Sequence, residues 1–121
     1  MSKVYGYCRT ALTEGNNMEM QRATVEDYCK SKDMFLNECF CDDSVSAHNM
    51  NREGLNKLFD VLKDGDVIVT KDASRFARDL RKHKQITDKI YDTGAKIIYI
   101  NAVIEKEDVS ALEDWLRAKL S

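Results

Sequence analysis

Strand-like and helix-like patterns alternate along this chain four times, and that alternation restricts the fold more than any other feature. "KVYGYCR" (3–9) reads as a first strand, weakened locally by Gly6. Residues 18–32 carry a helical period, with Met20, Ala23, Val25 and Tyr28 as the expected inner face. "MFLNECFC" (34–41) is a second strand. A second helix over 52–63 places Leu55, Leu58, Phe59 and Leu62 at i, i+3, i+4 and i+7. "GDVIVT" (65–70) ends in a short, continuously apolar strand of the kind buried on both faces. A third helix is expected from about Arg75 to Tyr91, ending near Gly94. "AKIIYINAVI" (95–104) is a fourth strand, and "KEDVSALEDWLRAKL" an amphipathic helix carrying Val109, Leu112, Trp115 and Leu116. Such alternation predicts an α/β fold: a mostly parallel sheet of at least four strands with helices on both faces.

The 121 residues suffice for one domain with a conventional core, and with no proline and five glycines no linker divides it. Hydrophobic residues at 43% and charged residues at 33% exclude a disordered chain. No apolar run reaches the length of a membrane span, and the N-terminus lacks a signal-peptide layout, so the expected address is the cytoplasm, with no membrane partner. A net charge of −2 makes the whole chain a poor electrostatic partner for nucleic acid; DNA contact would need a local basic cluster or a separate domain. Cys8, Cys29, Cys39 and Cys41 do not have the spacing of a zinc module, and His48 and His83 add no ligand pattern. They read as reduced cysteines filling a core, with neither metal nor cofactor expected.

In open parallel sheets, ligands sit at the carboxyl ends of the strands. Arg9, Asp43 and the Asp72–Arg75 loop all fall there. A buried arginine at the end of the first strand needs an anion or several acceptors, yet the loop after it offers no carboxylate before Glu14. Arg75 and Arg78, three apart, should share the first turn of a helix, where cations oppose the macrodipole unless an anion binds. Arg9, Arg52, Arg75 and Arg78 can therefore be read as a phosphate-binding set. They can equally be read as rim residues paired with Asp42, Asp43, Asp72 and Asp79. Charge chemistry alone leaves both readings open.

Four segments, in order and in near-constant spacing from residue 3 to about 104, resemble the catalytic domain of the serine recombinases, the resolvase/invertase family. "YGYCRTA" resembles the family's Tyr-x-Arg-x-Ser strand, and "MEMQ" its Leu-x-x-Gln stretch. "DDSVSAHNMNREGL" resembles the loop of Asp, Ser-Gly and Arg-x-Gly-Leu. "KDASRFAR" is similar to the Lys-Asp-x-Ser-Arg-x-x-Arg version found in large serine recombinases. The resemblance implies metal-independent DNA strand exchange through a covalent phosphoserine link. It places Arg9, Arg52, Arg75 and Arg78 around the phosphate, Gln21 in support, and Asp43 as the residue that positions the loop. Ser74 falls where many small members carry aspartate.

By the same resemblance, the nucleophilic serine should stand two residues after Arg9, where this chain has Ala11. Alanine has no oxygen to attack phosphorus, so this chain is expected to be inactive, through either an introduced change or natural loss. Thr10, Thr13 and Ser46 read as turn or capping hydroxyls rather than substitutes. Arg81, Lys82 and Lys84 are candidate DNA contacts, with a solvated helix face as the plainer reading. The family follows this domain with a long dimerising helix and a DNA-binding domain. Residues 1–121 are expected to form the catalytic domain without either. Weak DNA affinity and a monomer or weak dimer follow, with a homo-oligomer for a full-length protein. A non-catalytic recombinase-like regulatory module is the rival. A receiver-like signalling domain is disfavoured, because the first strand ends in Arg9 rather than in metal-binding acids.

Overall fold

The computed structural model describes residues 2–10, 18–43, 52–77 and 79–101. Four strands, β1 (Val4–Arg9), β2 (Leu36–Asp42), β3 (Val67–Thr70) and β4 (Lys96–Tyr99), form one parallel sheet in the order β2-β1-β3-β4. Helices α1 (Met18–Ser31), α2 (Glu53–Val61) and α3 (Leu80–Asp92) connect them, with a 3₁₀ turn at Ala73–Arg75 after β3. This is the α/β architecture that the alternation predicts.

Strand alternation sorts the side chains of β1 into two cores. Tyr5 and Tyr7 join Phe40, Leu55, Leu58, Ile68, Phe76, Ile86 and Ile90 beneath α2 and α3. On the opposite face Cys8 joins Val25, Cys29, Val69 and Ile100 beneath α1. Each fully buried Leu or Ile contributes about 1.5–3 kcal/mol of transfer free energy, which fixes which face each strand residue takes.

Several boundaries differ from those the sequence predicts, each for a local reason. The inner face of α1 is Gln21, Val25 and Cys29. Met20 is 68% exposed and Ala23 is also outside, because the buried stripe runs one residue later. β2 begins at Leu36, after Asp33 ends α1 in the left-handed region (φ 59°) and Met34 N–H returns to the Cys29 carbonyl at 2.8 Å. β3 begins at Val67, since Gly65 turns at φ 86°. The third helix starts at Leu80, not Arg75. Asp72 caps the 3₁₀ turn through Ser74 N–H (3.0 Å), and Asp79 then caps α3 through Arg81 N–H (2.8 Å) and Lys82 N–H (3.1 Å). β4 ends at Tyr99, and the backbone turns helical at Ile100–Asn101. The C-terminal helix lies outside the described residues. No helix among the described residues is long and apolar enough to cross a membrane.

Candidate functional site

The carboxyl ends of β1 and β2 face the start of α2 and the 3₁₀ turn, and three arginines meet there. Arg9 is fully buried, Arg52 is 1% exposed and Arg75 is 7% exposed. Arg9 is carried on the same face of β1 as Tyr7. Its Nε donates to the Arg75 carbonyl at 3.0 Å, and its Nη2 to the Ser74 carbonyl at 2.7 Å. Arg52, immediately before α2, donates from Nη1 to the same Arg75 carbonyl at 3.0 Å and from Nη2 to the Phe76 carbonyl. Arg75 answers with Nη1 to the Arg9 carbonyl at 2.7 Å. Two guanidiniums thus share one carbonyl oxygen.

Carboxylates surround this cluster, but most serve the backbone. Asp42 is buried at the end of β2, where it accepts from Tyr7 OH (2.7 Å), Gly54 N–H (2.7 Å) and Leu55 N–H (2.9 Å). It thereby caps α2 from a distant strand, in place of a local cap. Gly54 permits the approach: a Cβ there would lie 2.6 Å from the Cys41 carbonyl oxygen. Asp43 is exposed and accepts from Thr10 Oγ1 at 2.5 Å. Asp72 lies 3.4 Å from Arg75 Nε and accepts from the Ser74 hydroxyl. Asp79 caps α3. Of the solvated rim pairs that charge chemistry left open, the described residues contain one, Asp72 with Arg75, and there the arginine is buried.

Arg52 stands apart electrostatically. Its partners among the described residues are the Arg75 and Phe76 carbonyls and, at 3.4 Å, Tyr7 OH, all uncharged. Its Nε is buried with no partner among them. Its guanidinium also lies over the Tyr7 ring, 6.0 Å from the centroid. Burial pushes the Tyr7 phenol well above its ordinary range; the nearby Arg52 charge opposes that rise, and Asp42 adds to it through charge and hydrogen bond. Tyr7 therefore stays a neutral donor to Asp42.

Gln21 clamps the backbone of Arg9, accepting from its N–H at 3.2 Å and donating to its carbonyl at 2.9 Å. Ser74 directs its carbonyl to Arg9 and its hydroxyl to Asp72. Arg81 and Lys84 are exposed on α3 and Lys82 is half-buried, with Lys84 Nζ 2.6 Å from Asp88. The structure thus brings Arg9, Arg52, Arg75, Ser74 and Gln21 together, and leaves Arg81, Lys82 and Lys84 on the helix surface. Arg75 lies in the 3₁₀ turn and not in the first turn of α3, while Arg78, like Ala11, Thr13, Ser46 and His48, lies outside the described residues. Sequence reasoning met Asp42 and Asp72 only as possible rim partners and Tyr7 only as part of a motif, and gave none of them a role in the site. Period-two alternation from Arg9 was the available signal for Tyr7, whereas nothing local marked Asp42 as a remote cap.

On the other face of β1 the cysteines also converge, although their spacing suggested no metal set. All four are free thiols, and the Sγ atoms of Cys8, Cys39 and Cys41 lie within 4.8 Å of one another.

Residues 4–114 match the family described as "Resolvase, N terminal domain". A protein named "Resolvase" from Clostridium perfringens is 29% identical over 92 residues, 76% of this chain and 46% of that protein. The chain spans about half the length of the curated relatives it matches. Among solved structures, the C-terminal catalytic domain of ISC1926 TnpA, an IS607-like serine recombinase, superposes with a TM-score of 0.72 at 23% identity, covering 98% of this chain and 85% of that one. The N-terminal catalytic domain of TP901-1 integrase gives 0.71 at 16% identity, covering 97% and 98%.

Proposed function

Because the chain belongs to the resolvase family through its N-terminal domain, we propose that its arginine cluster holds a DNA backbone phosphate and that Ala11 leaves the domain without its nucleophile. The observation that carries this reading is Arg52: a cation 1% exposed, satisfied among the described residues only by neutral oxygens, with Nε unpartnered. Burying a charge without a counter-charge is costly, so the site gains most when an anion arrives. A phosphate replaces neutral carbonyl acceptors with charge-assisted ones, which are roughly twice as strong.

In the chemistry proposed, Arg9, Arg52 and Arg75, with Arg78, neutralise the phosphodiester and stabilise charge as its oxygens become more negative. Gln21 and Ser74 position Arg9, and Asp43 holds Thr10 beside the loop. A serine oxygen at position 11 would bond to phosphorus as the deoxyribose oxygen leaves; a methyl group cannot. DNA is the partner, bound weakly by this domain in isolation, with Arg81, Lys82 and Lys84 as outlying contacts. A full-length protein built on it would act as a homo-oligomer in the cytoplasm.

Ala11 itself favours a second reading, a regulatory module that kept the phosphate site without catalysis. Ala11→Ser distinguishes the two when the chain is tethered to a DNA-binding domain of known target and given duplexes bearing that target. A denaturation-resistant protein–DNA adduct, formed by the serine variant and not by the parent, supports the recombinase reading. No adduct from either supports the regulatory one.

A further inference from the structure

Cys8 faces Cys41 in register across the parallel β1–β2 pair, and Cys39 lies two residues earlier on the same face of β2. The residue opposite Cys39 is Gly6. A Cβ there would come within 2.9 Å of Cys39 Sγ and 2.9 Å of Val25 Cγ1, so the glycine leaves the space that the Cys39 thiol occupies. Cys39 Sγ then approaches Cys8 Sγ at 3.6 Å. A cation bound by thiolates at about 2.3 Å holds its sulfurs about 3.8 Å apart when tetrahedral and about 4.0 Å when trigonal. Cys8 and Cys39 already stand near that spacing and Cys41 Sγ lies within 4.8 Å of both, so a shift of about 1 Å or less closes the trio on an ion.

The surroundings suit the same guest. Val25 and Cys29 of α1 make an apolar wall. Cys39 and Cys41 are half-buried on the edge strand, which gives an ion a path in from solvent. Three thiolates around a divalent cation carry one net negative charge, so the site suits a divalent ion better than a monovalent one. Thiolate donors select soft metals over calcium or magnesium.

We propose that Cys8, Cys39 and Cys41 form a trithiolate site for a thiophilic d10 cation of the zinc class, on the face of the sheet opposite the arginines. Each bound sulfur gives its thiol proton to solvent as the metal–sulfur bond forms. The ion ties the edge strand β2 to β1 one residue from both Arg9 and Asp42, and so stiffens the strand ends that carry the arginine cluster. The proposal uses only the fold and these side chains, and stands whether or not the arginines bind phosphate.

Titration of the reduced, folded chain with Cd²⁺ alone tests it, followed by sulfur-to-cadmium charge-transfer absorption and by the thermal midpoint. One equivalent should saturate a band of three-thiolate intensity and raise the midpoint. Zn²⁺ should compete for the same equivalent. Cys41→Ser, at a half-buried edge position, should weaken Cd²⁺ at least about a hundredfold while the chain stays folded by circular dichroism. Cys29→Ala should leave affinity within about threefold, since Cys29 stands outside the trio. A band that does not saturate at one equivalent overturns the proposal. So does affinity unchanged by Cys41→Ser, or lost with Cys29→Ala.

Discussion

Cys8 and Arg9 are neighbours in sequence, yet they end in opposite chemistries. Arg9 points with Tyr7 into a polar network that gathers three guanidiniums around backbone carbonyls. Cys8 points the other way, into an apolar layer where three thiols meet. One peptide step separates the site proposed for a hard anion from the site proposed for a soft cation. Period-two alternation keeps them apart, with the sheet itself as the partition. The faces also differ in how they are held. The arginine face depends on hydrogen bonds whose loss leaves buried groups unpaired, while the thiol face depends on close packing, tight enough that a Cβ at Gly6 would meet Cys39 Sγ and Val25 Cγ1 at 2.9 Å.

The sharpest way to break that contrast is Asp42→Ala. It strands Tyr7 OH and the Gly54 and Leu55 N–H groups, all in buried hydrogen bonds, and uncaps α2. A loss of about 3 kcal/mol or more in urea unfolding is expected, since each buried unsatisfied group costs about 1–3 kcal/mol. A loss under about 1 kcal/mol would mean that water replaces the carboxylate without penalty.

A smaller effect should come from His83, which lies on the arginine side of the sheet. It packs against the Phe76 and Tyr99 rings, and its Nε2 is 3.2 Å from Tyr99 OH. Burial lowers its pKa below the ordinary value, so the unfolded chain binds the proton more readily. Its contribution is therefore present above about pH 6.5 and lost as pH falls through the lower folded-state pKa. Urea midpoints at pH 7.5 and pH 5.5 should differ less in His83→Asn than in the parent. An unchanged difference would place the titrating group elsewhere.

The fold was legible because its signals are repetitive. Leu55, Leu58 and Leu62 mark a helix face by spacing alone, and the run through Ile68 and Val69 marks a buried strand. Part of the site was legible as well, because Arg9 and the Ser74–Arg75 turn must fall at strand ends in a parallel sheet. What escaped was tertiary. Met20 reads as core by helical period, yet it is exposed, and the buried residue of that turn is Gln21, whose amide the Arg9 backbone uses. Asp42 caps a helix whose first residue lies 11 positions away, beyond the reach of local capping patterns. The thiol trio was invisible in the spacing because parallel pairing, not sequence proximity, brings Cys8 to Cys41.

The central claim is that the buried arginines await an anion, and sulfate titration followed through the arginine Nε–H resonances tests it most directly. Arg9, Arg52 and Arg75 should shift together, with Arg52 Nε–H moving furthest because, unlike Arg75 Nε 3.4 Å from Asp72, it has no carboxylate beside it among the described residues. Arg52→Met should weaken sulfate at least about tenfold and lower stability by about 1–3 kcal/mol, because it removes the donor to the Phe76 carbonyl. Shifts confined to Arg81 and its exposed neighbours on α3, with the three buried guanidiniums unmoved at saturating sulfate, would contradict the account.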